Sequence, residues 1–230
     1  MTEPPRAVLE RFLARLESGP GFAVAKQPDL WANLGRGGDW DLVVGDLEPA
    51  RSLLFEEVGA PLRMVRRSYV VATFYSWGEI DFLPRIEWKG VELVSASRVL
   101  QRAARDPGHG WPVACTAHQA VAGWIYPMLA YGSFNPRYAQ LVASAVAEDG
   151  IELERVLTDI FGSHADAAIA AARDRAPQTL APHLANLRRA ARVQALSSSP
   201  FRTLRAMSRF AFTEVALRLP VSPNVRAGAA

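Results

Sequence analysis

Asp39 and Asp41 stand two apart in GRGGDWDLVV (35–44), just after a glycine turn. Val, Leu and Trp favour extended backbone, and in a strand residues i and i+2 leave by the same face. The spacing therefore predicts two carboxylates side by side, with Trp40 and Leu42 turned into the core. Like charges so placed repel unless a cation or base lies between them. A hard ion such as Mg²⁺ meets that need, because it takes one or two carboxylates and completes its shell with water and phosphate oxygens. Two solvated acids at a strand end are the competing reading of an isolated Asp-x-Asp. A second acidic strand favours the metal: in SWGEIDFLP (76–84) Glu79 and Asp81 alternate with Ile80 and Phe82. The chain between the two runs has the length of a helix plus a strand pair, so both acidic faces can converge in one small sheet.

Those acids need elements to hold them. Residues 6–17 put Val8, Leu9, Phe12, Leu13 and Leu16 at helical spacing, which predicts an amphipathic first helix. Ser18 to Gly21 ends it, and FAVAK (22–26) predicts a first strand ending at Lys26. After the Asp pair, 45–58 reads as a helix with Asp46 as N-cap. Residues 62–66 and 69–75 read as two strands, and 85–94 as a strand pair turning at Lys89-Gly90. Alternation sends Glu87 and Glu92 outward on that pair, away from the site. Ser95 or Ser97 can cap a helix reaching Arg105. From there helices are expected at about 113–131, 135–148, 151–161 and 163–174, punctuated by Gly, Pro and Asn.

Lys26 and Arg36 are the cations nearest the Asp pair and could touch a phosphate. Arg63, Arg66 and Arg67 could line an anion site or simply guard a sheet edge. His109, His118, His164 and His183 lack metal-ligand spacing and read as structural. There is no GxxxxGK[ST] segment, which excludes P-loop kinase chemistry for this chain.

The order of glycine turn, DWDLVV, helix, strand pair and EIDFLP resembles the nucleotidyltransferase superfamily of DNA polymerase beta type. More narrowly, it is similar to nucleotidyltransferase-like proteins of bacterial surface-polysaccharide gene clusters, and EWKGVELVS and the long helical remainder add to the likeness. The resemblance covers most of the chain, most closely residues 20–100. It implies an α+β fold: a small mixed β-sheet of nucleotidyltransferase type followed by a C-terminal helical bundle. It also implies transfer of a nucleotide monophosphate from a nucleoside triphosphate to a hydroxyl of a small molecule or sugar, in surface glycan biosynthesis. Asp39, Asp41 and Asp81 would be the catalytic and metal-binding residues of a two-Mg²⁺ site. Arg36, Gly37, Gly38 and Lys26 would bind the nucleotide. The superfamily's Gly-Gly or Gly-Ser pair stands earlier, at a helix start; here Gly37-Gly38 abuts Asp39 directly, and nothing matching occurs at 24–32. A catalytically inactive relative that binds a nucleotide or a partner is the alternative. A glycosyltransferase fits poorly, since its Asp-x-Asp follows a whole nucleotide-binding βαβ region and only 38 residues precede it here.

The expected organisation is an α/β domain at 1–100, a helical bundle at 101–196, a basic amphipathic helix at 197–220 and a disordered tail at 221–230. With 230 residues and 50% hydrophobic content a real core is affordable. One cysteine, Cys115, excludes an internal disulfide and a cysteine-rich zinc site. No signal peptide is visible, which predicts the cytoplasm. Residues 107–136 lack Asp, Glu, Lys and Arg, yet their prolines, glycines, His118 and Gln119 fit a buried helix better than a membrane span. A net charge of +3 is too modest for a nucleic-acid partner. From Arg188 onward eight arginines face one acid, Glu214. Phe201, Leu204, Ser208, Ala211, Phe212, Val215 and Leu219 form a helical stripe there, expected to pack on its own bundle. An anionic membrane surface or an acidic partner is the other reading. In some members of the resembled group this position leads into a fused nucleotide-kinase domain, which implies a kinase-type partner chain docking on this helix.

Overall fold

A computed structural model describes residues 6–26, 39–66, 70–108 and 110–218. Arg36, Gly37, Gly38, Arg67, Tyr69, His109 and the tail beyond 218 lie outside the described residues.

The first helix, α1 (Arg6–Ser18), buries Leu9, Phe12, Leu13 and Leu16, the i, i+3, i+4, i+7 face anticipated from its spacing. Strand β1 (Phe22–Val24) and β2 (Asp39–Val44) pair antiparallel, Ala23 opposite Val43. Helix α2 (Leu47–Val58) starts at Asp46, whose side chain accepts from the Glu48 N–H, and stops at Gly59 with φ 93. Strands β3 (Arg63–Arg66), β4 (Val71–Tyr75) and β5 (Gly78–Leu83) follow as an antiparallel meander. Then β5 turns back beside β2 in parallel. A separate hairpin, β6 (Arg85–Trp88) and β7 (Val91–Ser95), turns at Lys89 and Gly90, both with positive φ, the geometry of a type I′ turn.

The helix after Ser95 is shorter than its sequence suggests. It covers Ala96–Gln101 as α3, with the Ser95 hydroxyl accepting from the Arg98 N–H. The chain then forms a tight hairpin of β8 (Ala104–Arg105) and β9 (Pro112–Val113), closed by Asp106 and Trp111. Val113 pairs parallel to Val24. One seven-stranded mixed sheet results, in the order β3-β4-β5-β2-β1-β9-β8, so strand pairing continues past residue 100.

Beyond the sheet the chain is helical. Helix α4 (Thr116–Ala120), a π-helical turn (Val121–Ile125) and α5 (Tyr126–Tyr131) run on as one rod. The wide turn precedes Pro127, whose ring would crowd a regular i−4 carbonyl and which has no N–H to give it. Helix α6 (Ala139–Phe161) merges the two helices expected at 135–148 and 151–161. It is kinked where they were to part, at Asp149 with φ −131 and ψ 29. Helices α7 (Asp166–Arg173), α8 (Leu184–Ser198) and α9 (Pro200–Arg218) follow, with 3-10 turns before α7 and α8. No helix among the described residues is long and apolar enough to cross a membrane.

The sheet is buried on both faces. On one, Trp40, Leu42, Ile80 and Phe82 pack against α1 and α2, the rings of Phe12 and Phe82 lying 6.3 Å apart. Each such fully buried side chain contributes about 1.5–3 kcal/mol. On the other, Ala23, Ala25 and Val43 join Val121, Trp124 and Ile125 in the helical core. The stripe on α9 does not follow its expected packing. Phe201, Leu204 and Phe212 are 89%, 53% and 78% exposed. The helix is instead seated through Thr203, which is buried, and through Met207, which lies against Gly90. Val215 and Leu219 carry no described side chains.

Candidate metal centre

The site is made by register. In the parallel pairing of β2 with β5, Asp39 lies opposite Glu79 and Asp41 opposite Asp81. Because side chains alternate, all four acids leave by the face turned towards the helices, while Trp40, Leu42, Ile80 and Phe82 fill the opposite core. Carboxylate oxygens of Asp39, Asp41 and Asp81 come within 4.8 Å of one another. The three candidates drawn from two separate sequence motifs are thus brought together, and this triad could hold a metal ion.

Charge is concentrated there. Burial works against the ammonium of Lys26, but Asp41 outweighs it: Lys26 Nζ lies 2.7 Å from Asp41 Oδ2, and the pair holds the lysine firmly protonated. Asp41 itself is raised above the ordinary carboxylate range, because burial and the neighbouring Asp39 exceed what Lys26 gives back. Burial is also the first cause at Asp81. Asp41 and Glu79 add to it, and the carboxyl is pushed up to about 8. Glu79 is raised by burial and by Asp39 and Asp41, against a hydrogen bond from Asp81 that holds it down. Oxygen Oδ1 of Asp81 is buried with no hydrogen-bond partner. Without a cation, then, the cluster is relieved by one lysine and a retained proton. Hard oxygen donors, one of them orphaned, fit a divalent ion of the Mg²⁺ type.

The acids form one wall of a cavity of about 300 Å³. Arg63, Phe74 and Arg85 line it from the sheet and its hairpin, and Ala122, Tyr126 and Tyr131 from the α4–α5 rod. Lys26 faces this cavity already bound to Asp41, so its charge serves the carboxylates first. Arg36, Gly37 and Gly38 lie outside the described residues, which leaves the nucleotide-binding set without a described position for three of its four members.

Glu87 corrects the sequence reading. Alternation placed it outward, yet its side chain is fully buried, because both faces of β6 are covered and Ile86, Glu87 and Trp88 are all buried. Its carboxylate accepts from the Arg85 guanidinium and from the Gly90 N–H at 3.0 Å. Glu92 remains half-exposed and accepts from Arg202 at 2.6 Å. Among the polar lining residues, sequence reasoning missed Glu79, Arg85, Glu87, Tyr126 and Tyr131 as site candidates. For Glu79 the signal was present, since it stands two before Asp81 on the same strand; the others lie on β6 and α5, and only packing brings them near. The expectation that the histidines are structural is consistent with His118, fully buried on α4 with its Nε2 3.4 Å from Glu152 Oε1.

No family model matches the chain, and neither do curated proteins or solved structures.

Proposed function

We propose that this chain is a metal-dependent nucleotidyltransferase that moves a nucleotide monophosphate from a nucleoside triphosphate to a hydroxyl of a small molecule or sugar. The observation that carries this reading is the convergence of Asp39, Asp41 and Asp81 on adjacent parallel strands at the wall of a cavity. A Mg²⁺ ion held there would neutralise charge on the triphosphate and orient it. Asp39 and Asp41, with Asp81 beside them, would hold that ion. Asp81, across the strand pairing from Asp41, is placed to receive the acceptor's proton. The acceptor oxygen bonds to the α-phosphorus and the bond from that phosphorus to the bridging oxygen breaks. Pyrophosphate leaves with the electron pair, and the proton passes through the carboxylate to water. Arg63 and Arg85, on the same cavity wall, supply fixed positive charge for phosphate oxygens.

The ion pair between Lys26 and Asp41 favours a second reading, a non-catalytic nucleotide- or partner-binding module whose acids are satisfied by an internal ammonium. Calorimetric titration of ATP, CTP, GTP and UTP, each with Mg²⁺, into wild type and an Asp39→Asn/Asp41→Asn variant separates the two. Metal-dependent binding by wild type alone supports transfer. Binding that ignores both the metal and the substitutions supports the module, and no binding of any nucleotide sinks the transferase.

A further inference from the structure

Two cavities share Val70 and Arg85 in their linings. One is the pocket of the metal centre. The other is an open groove of about 1050 Å³ between α9 and the strand-end residues Val71 and Pro84. Arg85, Arg202, Arg205 and Arg209 line the groove and, among the described residues, no acid does. Arg85 and Arg202 are already engaged, with Glu87 and Glu92. Arg205 and Arg209 are not: both are exposed, and neither guanidinium meets a carboxylate among the described residues. Four apart, they stand one above the other on a single face of α9. The groove also has carbon surface, from Leu47, Val70, Val71 and Phe212, which suits an organic anion better than a bare ion.

The helix that carries these arginines is held close by a residue without a side chain. Gly90 has φ +86, and a Cβ there would come within 2.5 Å of the Met207 nitrogen. Backbone thus rests on backbone, and the width of the groove is set by the hairpin turn rather than by an adaptable side chain.

We propose that this groove holds the anionic end of the acceptor, which is therefore a soluble, phosphate-bearing hydroxyl compound. Its phosphates sit on Arg205 and Arg209, and its hydroxyl reaches past Arg85 to the carboxylates. The assignment as acceptor rests on the nucleotidyl-transfer reading; the anion site does not. Guanidinium pairs bind phosphate through charge-assisted, often bidentate bonds, which a concave groove of one sign strengthens. The lining it shares with the pocket of the metal centre, Val70 and Arg85, distinguishes it from a surface built only to lie on a membrane.

The test titrates tripolyphosphate, in EDTA, into the full-length wild type, an Arg205→Glu/Arg209→Glu variant and the Asp39→Asn/Asp41→Asn variant, with circular dichroism to verify each fold. An Arg205→Ala/Arg209→Ala variant replaces the charge reversal if that perturbs α9. Wild type should bind, the arginine variant at least about tenfold more weakly, and the aspartate variant no more weakly than wild type. Equal affinity in the arginine variant, or no binding by wild type, overturns the proposal. So does sedimentation of wild type with phosphatidylglycerol vesicles through the same arginines when tripolyphosphate fails to compete, because the surface then serves lipid. Arginine-dependent tripolyphosphate binding by a wild type that takes no Mg²⁺-nucleotide refutes the transfer reading instead, and separates the two failures.

Discussion

Replacing Asp81 by Asn should flatten the pH dependence of stability in the metal-free protein. The carboxyl sits at about 8 in the folded chain, against roughly 3.9 when unfolded. Between those values the folded state binds a proton that the unfolded state does not, so stability is fully present at low pH and falls as pH rises. The slope is about 1.4 kcal/mol per pH unit for one full proton. From about pH 5.5 to about pH 7.5 the wild type would lose up to about 2.7 kcal/mol through this one group. Solvent reaching the cavity mouth reduces that, and about 1–2 kcal/mol is the expected difference. For a chain of this length it corresponds to a Tm shift of roughly 2–8 °C. His118 does not confuse the comparison. Burial lowers it to about 4, so its contribution is lost as pH falls below its unfolded value, and it is common to both proteins. Thermal melts in EDTA across this range measure the slopes. Mg²⁺ should raise the wild-type Tm more at the alkaline end, where it replaces the proton, and should do little for Asp81→Asn. Melting temperatures of the two proteins that run parallel with pH would refute the account of a proton held in place of a cation.

Three further perturbations probe neighbouring features. Lys26→Met removes the ammonium from Asp41 and should cost the metal-free protein about 3 kcal/mol while tightening Mg²⁺ binding several-fold; weaker Mg²⁺ binding in calorimetry would show that the lysine is no competitor for the ion. Glu87→Ala strips the buried partner from Arg85 and the Gly90 N–H and should cost about 3 kcal/mol in urea unfolding, with Glu87→Gln costing less; a loss of under about 1 kcal/mol would mean that water replaces the carboxylate. Gly90→Ala forces a Cβ onto the Met207 backbone at positive φ. It should cost about 1–3 kcal/mol and free α9, read as faster tryptic cleavage after Arg202, Arg205 and Arg209; unchanged cleavage would place the seat of α9 elsewhere.

What could be read from sequence was what repeats locally. The face of α1, the cap at Asp46, the turn at Lys89-Gly90 and the shared face of Asp39 and Asp41 follow from helical spacing, side-chain oxygens, backbone sterics and alternation, all within a few residues. The partnership of Asp41 with Asp81 required more, namely that two acidic strands share one sheet, and the likeness of motif order suggested it. Hidden features involved contacts distant in sequence or strands too short to show a period. Glu87 alternates with Ile86 and Trp88 but is buried all the same, because both faces of β6 are covered. The strands at 104–105 and 112–113 escape a reading by period because two residues are too short to show alternation. Arg85, Tyr126 and Tyr131 carry no local mark of the cavity they line. The exposed aromatics of α9 have a helical period whichever way the helix faces, so spacing alone could not decide what covers them.

The register of β2 against β5 also determines which length changes the chain can tolerate. The loops and the meander between these strands can grow or shrink without moving an acid, because their ends are pinned by strand pairing. Inside either strand the rule is parity. One inserted residue after Gly78 turns Asp81 towards Phe12 and brings Ile80 to the cavity, exchanging charge for oil on both faces at once. Two inserted residues restore the faces but slide Asp81 along its neighbour by a full pleat, out of reach of Asp41. The cluster is a coincidence of two counts, held by the same backbone hydrogen bonds that make the sheet.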